Sequence, residues 1–342
     1  MINYPSENNT IHEKTVKAVG MISGGLDSSL AAKIVKDLGV EVYGVYFAMP
    51  WGCCDKIKAI EVAQQIGIKF IVLQLDERYL EIVRNPKFGY GTAMNPCRDC
   101  RIHMFSRAAQ YMRHIEADFV FTGEVLGQRP MSQLRESMKL IEQHAGLSGK
   151  LLRPLCAQLL EPTQIEESGL IDRTQLLKIS GRGRREQIKL AGTSNLTYNT
   201  PAGGCLLTDK NFAKRMKDTL DHGYRNFRET IALKWGRHFR LNKDFKAVLG
   251  RDEEENDVLV RHAYINDYIV QLKNKLGPTL ILKGPLPSAE IISLCGGLIQ
   301  KFSRYKDAAP EEIIYWPKHN KNESYVLVAH PVGDTQIDTW KI

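Results

Sequence analysis

From Val16 to Thr122, short apolar runs alternate with segments of helical periodicity. Residues 16–22, 41–48, 68–75 and 117–122 are apolar and rich in β-branched and aromatic side chains, which predicts four strands. Residues 29–38, 55–66, 77–84 and 98–115 place apolar positions three and four apart, which predicts helices between and beside those strands. Strands alternating with helices imply a parallel sheet covered on both faces. From 150 to 205 the pattern breaks into short apolar runs and turns, and residues 211–237 read as helical and basic. Past about residue 243 short strands, Ala247–Leu249 and Thr279–Leu282, precede a helix at 288–304. The pattern thus divides the chain into a polar tail (1–15), an α/β domain (16–209), a basic helical linker (210–240) and a smaller C-terminal α+β domain (241–342).

Composition narrows the class. The chain has 342 residues, 43% hydrophobic and 25% charged, which is ordinary for a globular protein. No apolar run approaches the ~18–20 residues a membrane span needs, so no membrane partner is expected. The first residues, Met1 to Thr15, are polar, and a cytoplasmic protein is expected. Its seven cysteines are then not expected to form structural disulfides.

The net charge of +8 is not evenly spread. Residues 181–240 hold thirteen basic and five acidic side chains, which accounts for the whole excess. Such a block reads either as a polyanion-binding surface or as a solvated helix face. Within it, Arg182, Arg184 and Arg185 crowd a glycine-punctuated turn before a helix, where cations oppose the helix dipole. Phosphate contacts, to RNA or to a nucleotide, explain them better. Lys214 and Arg215 extend the basic run, and with the three arginines they are expected to bind RNA. His222 and His238 read as surface polar groups in the same block.

The sharpest motif is Ser23-Gly24-Gly25-Leu26-Asp27-Ser28-Ser29, between the first strand and the first helix. Glycines let a backbone approach a phosphate, and a helix start offers unpaired N–H groups and a positive dipole end. Asp27 has the chemistry to orient a loop N–H or to hold Mg²⁺. The loop has no Gly-Lys-Ser/Thr ending and no dinucleotide glycine spacing. It resembles the PP-loop of the ATP pyrophosphatases. That resemblance implies an adenine nucleotide alpha hydrolase-like fold that cleaves ATP between its α and β phosphates. It also implies adenosine contacts at Phe47 and at Gly123 of Thr122-Gly123-Glu124.

Three cysteines carry the remaining chemistry. Asn95-Pro96-Cys97-Arg98-Asp99-Cys100 sets a C-x-x-C at a helix start, a place that favours thiolates. Cys205 follows Gly203-Gly204. Their order resembles the tRNA 2-thiouridylases and related thiolation enzymes, in which a cysteine after an Asn-Pro turn cooperates with one about a hundred residues later. The resemblance covers residues 16–215 and assigns those roles to Cys100 and Cys205. Cys97 is additional. Three chemistries stay open: a [4Fe–4S] cluster on Cys97, Cys100 and Cys205, a cysteine persulfide or disulfide relay, and a zinc site that includes His103. Cys53 and Cys54 read as loop residues, and Cys156 and Cys295 as core.

The C-terminal part has its own resemblance. Val248 to Asp257, Gly277 to Leu282 and Phe302-Ser303-Arg304 look like the RNA-binding domain of the NFACT proteins. Together these readings describe an ATP- and Mg²⁺-dependent tRNA sulfurtransferase that adenylates a uridine carbonyl and replaces its oxygen with sulfur. Sulfide or a persulfide carrier protein would supply the sulfur. The alternatives are a PP-loop enzyme acting on a small molecule, and an RNA-binding protein with a relic ATP site.

Overall fold

The computed structural model describes residues 15–52, 55–198, 204–223 and 227–342. Cys53, Cys54, Arg225, the polar tail up to Lys14 and the stretch Pro201–Gly203 lie outside the described residues. The chain forms two units. One comprises residues up to 49, 53–75 and 96–203, and the other comprises 50–52, 76–95 and 204–342.

The first unit is built on β1 (Lys17–Met21), α1 (Leu26–Asp37), β2 (Glu41–Ala48), α2 (Lys56–Ile66) and β3 (Lys69–Gln74). After α3 (Glu77–Arg84), which groups with the second unit, come α4 (Cys97–His114), β4 (Phe119–Thr122), α5 (Arg135–His144) and β5 (Leu151–Leu152). Two more helices follow, α6 (Gln164–Glu167) and α7 (Arg185–Thr193). The strands are ordered β3-β2-β1-β4-β5 and all pair in parallel. Ala18, Val19, Phe119, Val120 and Phe121 are fully buried, as central strands covered on both faces must be. Gly20 pairs with Phe121, and a Cβ there would lie 2.3 Å from the Phe121 ring, so the ring takes the space glycine leaves. Strand order reverses between β1 and β4, and open parallel sheets bind ligands in the crevice beyond that reversal.

Four predicted strands match β1 to β4 within two residues at each end, and β2 coincides with its prediction. The first helix differs. It starts at Leu26 rather than Ser29, because Gly25, with extended backbone, is its N-cap. Leu26, Asp27 and Ser28 therefore form its first turn.

The second unit holds α8 (Lys210–Asp221), β6 (Arg237–Arg240), β7 (Lys246–Leu249), α9 (Glu253–His262), β8 (Tyr268–Leu272), β9 (Leu280–Lys283), α10 (Ala289–Lys301), β10 (Glu311–Pro317), β11 (Tyr325–Ala329) and α11 (Asp334–Trp340). Its six strands form an antiparallel sheet ordered β11-β10-β8-β9-β7-β6. One face packs on α10 through Val270, Leu280, Leu298 and Ile313. The other buries Val248, Ile269, Ile281 and Trp316 with Leu259 of α9.

The basic stretch 211–237, expected to be helical throughout, divides into α8, a 3₁₀ segment (Phe227–Lys234) and β6. His238 is a correction to the sequence reading. It is 2% exposed on β6, with Nε2 bonded to the Trp235 carbonyl at 2.8 Å. Burial, with Lys246 and Arg215 nearby, holds its imidazole well below the usual histidine range, so it is a neutral core group. Part of the basic block is likewise structural. Arg240 grips Asp218 with two 2.8 Å bonds, and Lys246 reaches the same carboxylate at 2.9 Å.

Candidate nucleotide site and cysteine centre

The phosphate loop is held by its own hydroxyls. Ser28 and Ser29 donate to the Gly25 carbonyl at 3.0 and 2.9 Å, and the Ser23 and Ser28 hydroxyls bond at 3.0 Å. The Ser23 N–H donates to Ser28 Oγ, and the Gly25 N–H to Ser23 Oγ. No side chain caps α1, so the dipole end stays directed at the loop. Gly24 has φ +75°, and a Cβ there would stand 2.7 Å from the Ala59 backbone nitrogen. Both the backbone turn and the approach of α2 require glycine.

Gly123 closes the crevice from the β4 side. A Cβ on it would lie 2.5 Å from the Asp27 carbonyl and from the Ser28 nitrogen. The end of β4 is therefore set against the first turn of α1 as tightly as backbone allows. Phe47 lies near the carboxyl end of the neighbouring β2 and is 9% exposed. Glu124, next to Gly123, is buried and bonded to Arg153 at 3.3 Å, while Arg153 also holds Glu142 at 2.8 Å. This ion network ties the loop after β4 to β5 and α5.

Asp27 is half-buried in this crevice. Burial raises its carboxyl above the ordinary range, opposed by the carboxamides of Gln128 and Gln187 and by the charges of Arg184 and Arg129. Among the described residues, Asp27 Oδ1, Gln128 Nε2 and both polar atoms of Gln187 are buried without completing a hydrogen bond. Buried polar atoms are nearly always satisfied, so several around one loop mark a place for a polar ligand. An uncapped helix start, glycines at close approach and orphaned donors fit a polyphosphate. Gln128, Gln187 and Arg129 escaped the sequence reading. The spacing of Arg184 and Gln187, three apart at a helix start and so on one face, was the available signal.

The turn carrying the three arginines is bridged to the loop after β4. Leu126 and Ser180 form a parallel bridge, and the Gly181 N–H donates to the Leu126 carbonyl at 2.8 Å. Arg182 and Arg185 are exposed, whereas Arg184 is half-buried and Gln187 fully buried. In the second unit Lys214 is exposed, and Arg215 donates to the Leu233 carbonyl at 3.0 Å.

Cys97 and Cys100 lie in the first turn of α4 and are both half-buried. Pro96 is the N-cap, and its carbonyl accepts the Cys100 N–H at 2.8 Å. Cys205 belongs to the second unit, as N-cap of a 3₁₀ turn. The Leu206 N–H anchors that turn to the Trp51 carbonyl at 3.2 Å, and Cys205 Sγ lies 4.0 Å from the same oxygen. Trp51 is wholly buried against Tyr79 and Phe227. Among the described residues no three His, Cys, Asp or Glu side chains are grouped to hold a metal ion. The helix turn supplies two thiols, Cys97 and Cys100, one turn apart on α4. Cys156 and Cys295 are fully buried, as expected, and burial pushes both thiols up, Cys156 to about 11.

A parallel sheet with a glycine-serine loop at its reversal point defines an α/β fold of the PP-loop type. Residues 16–142 match the tRNA methyl transferase HUP domain family, and residues 236–341 match the NFACT protein RNA binding domain. The tRNA-specific 2-thiouridylase MnmA of Tropheryma whipplei is 34% identical over 121 residues, 32% of this chain and 34% of the relative. That of Bacillus cytotoxicus is 24% identical over 290 residues, 76% of this chain and 75% of the relative. The chain spans about a third of the length of the Tropheryma relative. A solved 4-thiouridine synthetase–RNA complex with bound ATP is 17% identical, with a TM-score of 0.36, over 60% of this chain and 51% of that one. Residues 16–142 are thus similar to a family of tRNA-modifying PP-loop-like domains, and residues 236–341 to the NFACT RNA-binding domain. No helix among the described residues is long and apolar enough to cross a membrane.

Proposed function

We propose that the protein is an ATP-dependent tRNA sulfurtransferase of the cytoplasm, forming thiouridine. The observation that carries this reading is the seating of Gly123 against Asp27 and Ser28, which leaves a glycine-walled, uncapped helix start at the sheet's reversal point. The similarity to 2-thiouridylases supplies the reaction class.

The loop Ser23–Ser29 takes the phosphates through backbone N–H groups, and Phe47 and Gly123 border the adenosine. A uridine carbonyl oxygen attacks the α-phosphate, and pyrophosphate leaves. Fixed N–H groups aimed at the phosphates stabilise the developing charge without reorganising. Asp27 would hold Mg²⁺, which screens the phosphate charge when bound. Sulfide held at the cysteine centre attacks the adenylated carbon, and AMP departs as the C–O bond breaks. With a persulfide carrier protein instead, a thiol of the Cys100/Cys205 pair takes the outer sulfur and the carrier leaves as a thiol. That sulfur then displaces AMP, the second cysteine attacks the S–S bond to free the thiouridine, and an external thiol reduces the resulting disulfide. Cys100 and Cys205 are the residues proposed to deliver the sulfur. Cys97 with that pair would hold a [4Fe–4S] cluster, whose thiolate set suits iron and leaves one iron open. The polyanion surfaces Arg182, Arg185 and Lys214 would hold tRNA by its phosphates.

The test is mass spectrometry of tRNA nucleosides from a deletion strain, with ATP–pyrophosphate exchange on purified protein. A missing thiolated nucleoside, restored by the wild-type gene and not by the Cys100→Ser gene, is expected. Unchanged nucleosides would overturn the tRNA assignment. Iron and sulfide analysis after anaerobic purification decides the cluster: iron-free protein with full activity removes it.

A further inference from the structure

The three arginines of the Gly181–Arg185 turn do not share one environment. Arg182 and Arg185 point to solvent, while Arg184 is half-buried and lies one helical turn from the fully buried Gln187. The Leu126–Ser180 bridge and the Gly181-to-Leu126 bond hold this turn beside Gln128. Gly127 packs within 3.6 Å of the Gly181 nitrogen, measured from a Cβ built on Gly127, so no side chain separates the two segments. Gln128 of one segment and Gln187 beyond the other both act on the Asp27 carboxyl, in the first turn of α1.

We infer that Arg184 reads the polyphosphate of ATP rather than RNA, with Gln128 and Gln187 supplying further polar contacts, and that only Arg182 and Arg185 of this turn face RNA. Three observations meet here. The phosphate loop ends in an uncapped twelve-residue helix whose dipole favours anions. The carboxamide of Gln187 is wholly buried with neither polar atom satisfied, and Gln128 Nε2 and Asp27 Oδ1 are in the same state. A ligand rich in acceptor oxygens satisfies the amide donors, and a guanidinium at the rim neutralises its charge. A half-buried arginine is poorly placed to meet a tRNA backbone, whereas its two exposed neighbours are well placed.

The inference rests on the nucleotide reading above, and equilibrium titration of the full-length protein separates the two. The probes are the Mg²⁺ complex of α,β-methylene-ATP, AMP, and unmodified tRNA at two salt concentrations. Arg184→Ala is expected to weaken the ATP analogue by about tenfold or more, the scale of a charge-assisted contact. AMP, which lacks the outer phosphates, should bind this variant as it binds wild type, and so should tRNA. Arg182→Ala/Arg185→Ala should lose tRNA affinity and flatten its salt dependence while keeping the analogue. Arg184→Lys retains the charge and should recover part of the loss, which a folding defect would not do. Weakened tRNA with an unchanged analogue in Arg184→Ala would overturn the inference, as would no change in any titration. Wild-type protein that binds neither the analogue nor AMP would overturn the nucleotide reading itself, and this inference with it.

Discussion

The position a Cβ would occupy on Gly123 lies 2.5 Å from the backbone carbonyl of Asp27. A contact that short is never sustained, and both partners are backbone, so no side chain can swing aside. Gly123→Ala must push β4 and α1 apart at the proposed nucleotide site. Binding of an ATP analogue should fall at least tenfold by calorimetry. The sheet should survive, because Phe119, Val120 and Phe121 stay buried. Retained affinity would show that the crevice between β1 and β4 is not the nucleotide site.

Asp27 trades stability for function. Its carboxyl is raised by burial, so the folded protein pays for ionising it. The sign follows from linkage: the unfolded chain releases this proton at lower pH, so Asp27 contributes stability below its unfolded value that is lost as pH rises through the folded one. Asp27→Asn should therefore leave the melting temperature at neutral pH equal or higher, while Mg²⁺-dependent ATP–pyrophosphate exchange disappears. Wild-type exchange should decline as acid neutralises the carboxyl. A variant that melts lower and exchanges normally would contradict both statements.

Asp218 behaves in the opposite way. Burial opposes its charge, but Arg240 and Lys246 prevail and hold it at about 2. Its contribution is present above the ordinary carboxylate value and fades between about pH 4 and pH 2. At roughly 1.4 kcal/mol per unit, that is about 2 kcal/mol of acid-labile stability. Asp218→Asn should remove this acid sensitivity in denaturant titrations. It should also lower stability at pH 7 by about 3–5 kcal/mol, because Arg240 and Lys246 are left without their carboxylate. An unchanged acid profile would mean the two cations are satisfied elsewhere.

The cysteines should separate under alkylation. Cys156 and Cys295 are inaccessible, and burial keeps both as thiols. Cys97, Cys100 and Cys205 retain exposed surface. Brief iodoacetamide treatment of folded, iron-free protein at pH 8, read by peptide mass spectrometry, should modify the second group and spare the first. Modification of Cys156 before Cys100 would refute the assigned burial.

Much of the nucleotide domain was legible in the sequence because its physics is local. Buried parallel strands are continuous apolar runs, and the loop's glycines and serines mark the turn between β1 and α1. What sequence hid is set by non-local pairing. Gln187 is an ordinary polar residue until α7 turns it inward, and Arg184 differs from Arg185 only in the direction it faces. Asp218 meets Arg240 only after β6 folds back beside α8. The basic block therefore read as more uniform than it is. His238 reads as a surface residue because β6 is short and flanked by arginines, and pairing with β7 puts it inside. The strands β8, β10 and β11 went unread for the same reason, since their partners are distant in the chain.

The Leu126–Ser180 bridge has a consequence for synthesis. Chains emerge from the ribosome N-terminus first, and the sheet from β1 to β5 is complete by Leu152. The turn bridged at Ser180, which would complete the proposed nucleotide pocket, is translated later. Nascent chains would thus pass through an interval with a finished scaffold and an unfinished pocket. Capture of a nucleotide at the proposed site would then report that synthesis has passed α7, and would add stability to the fully made unit.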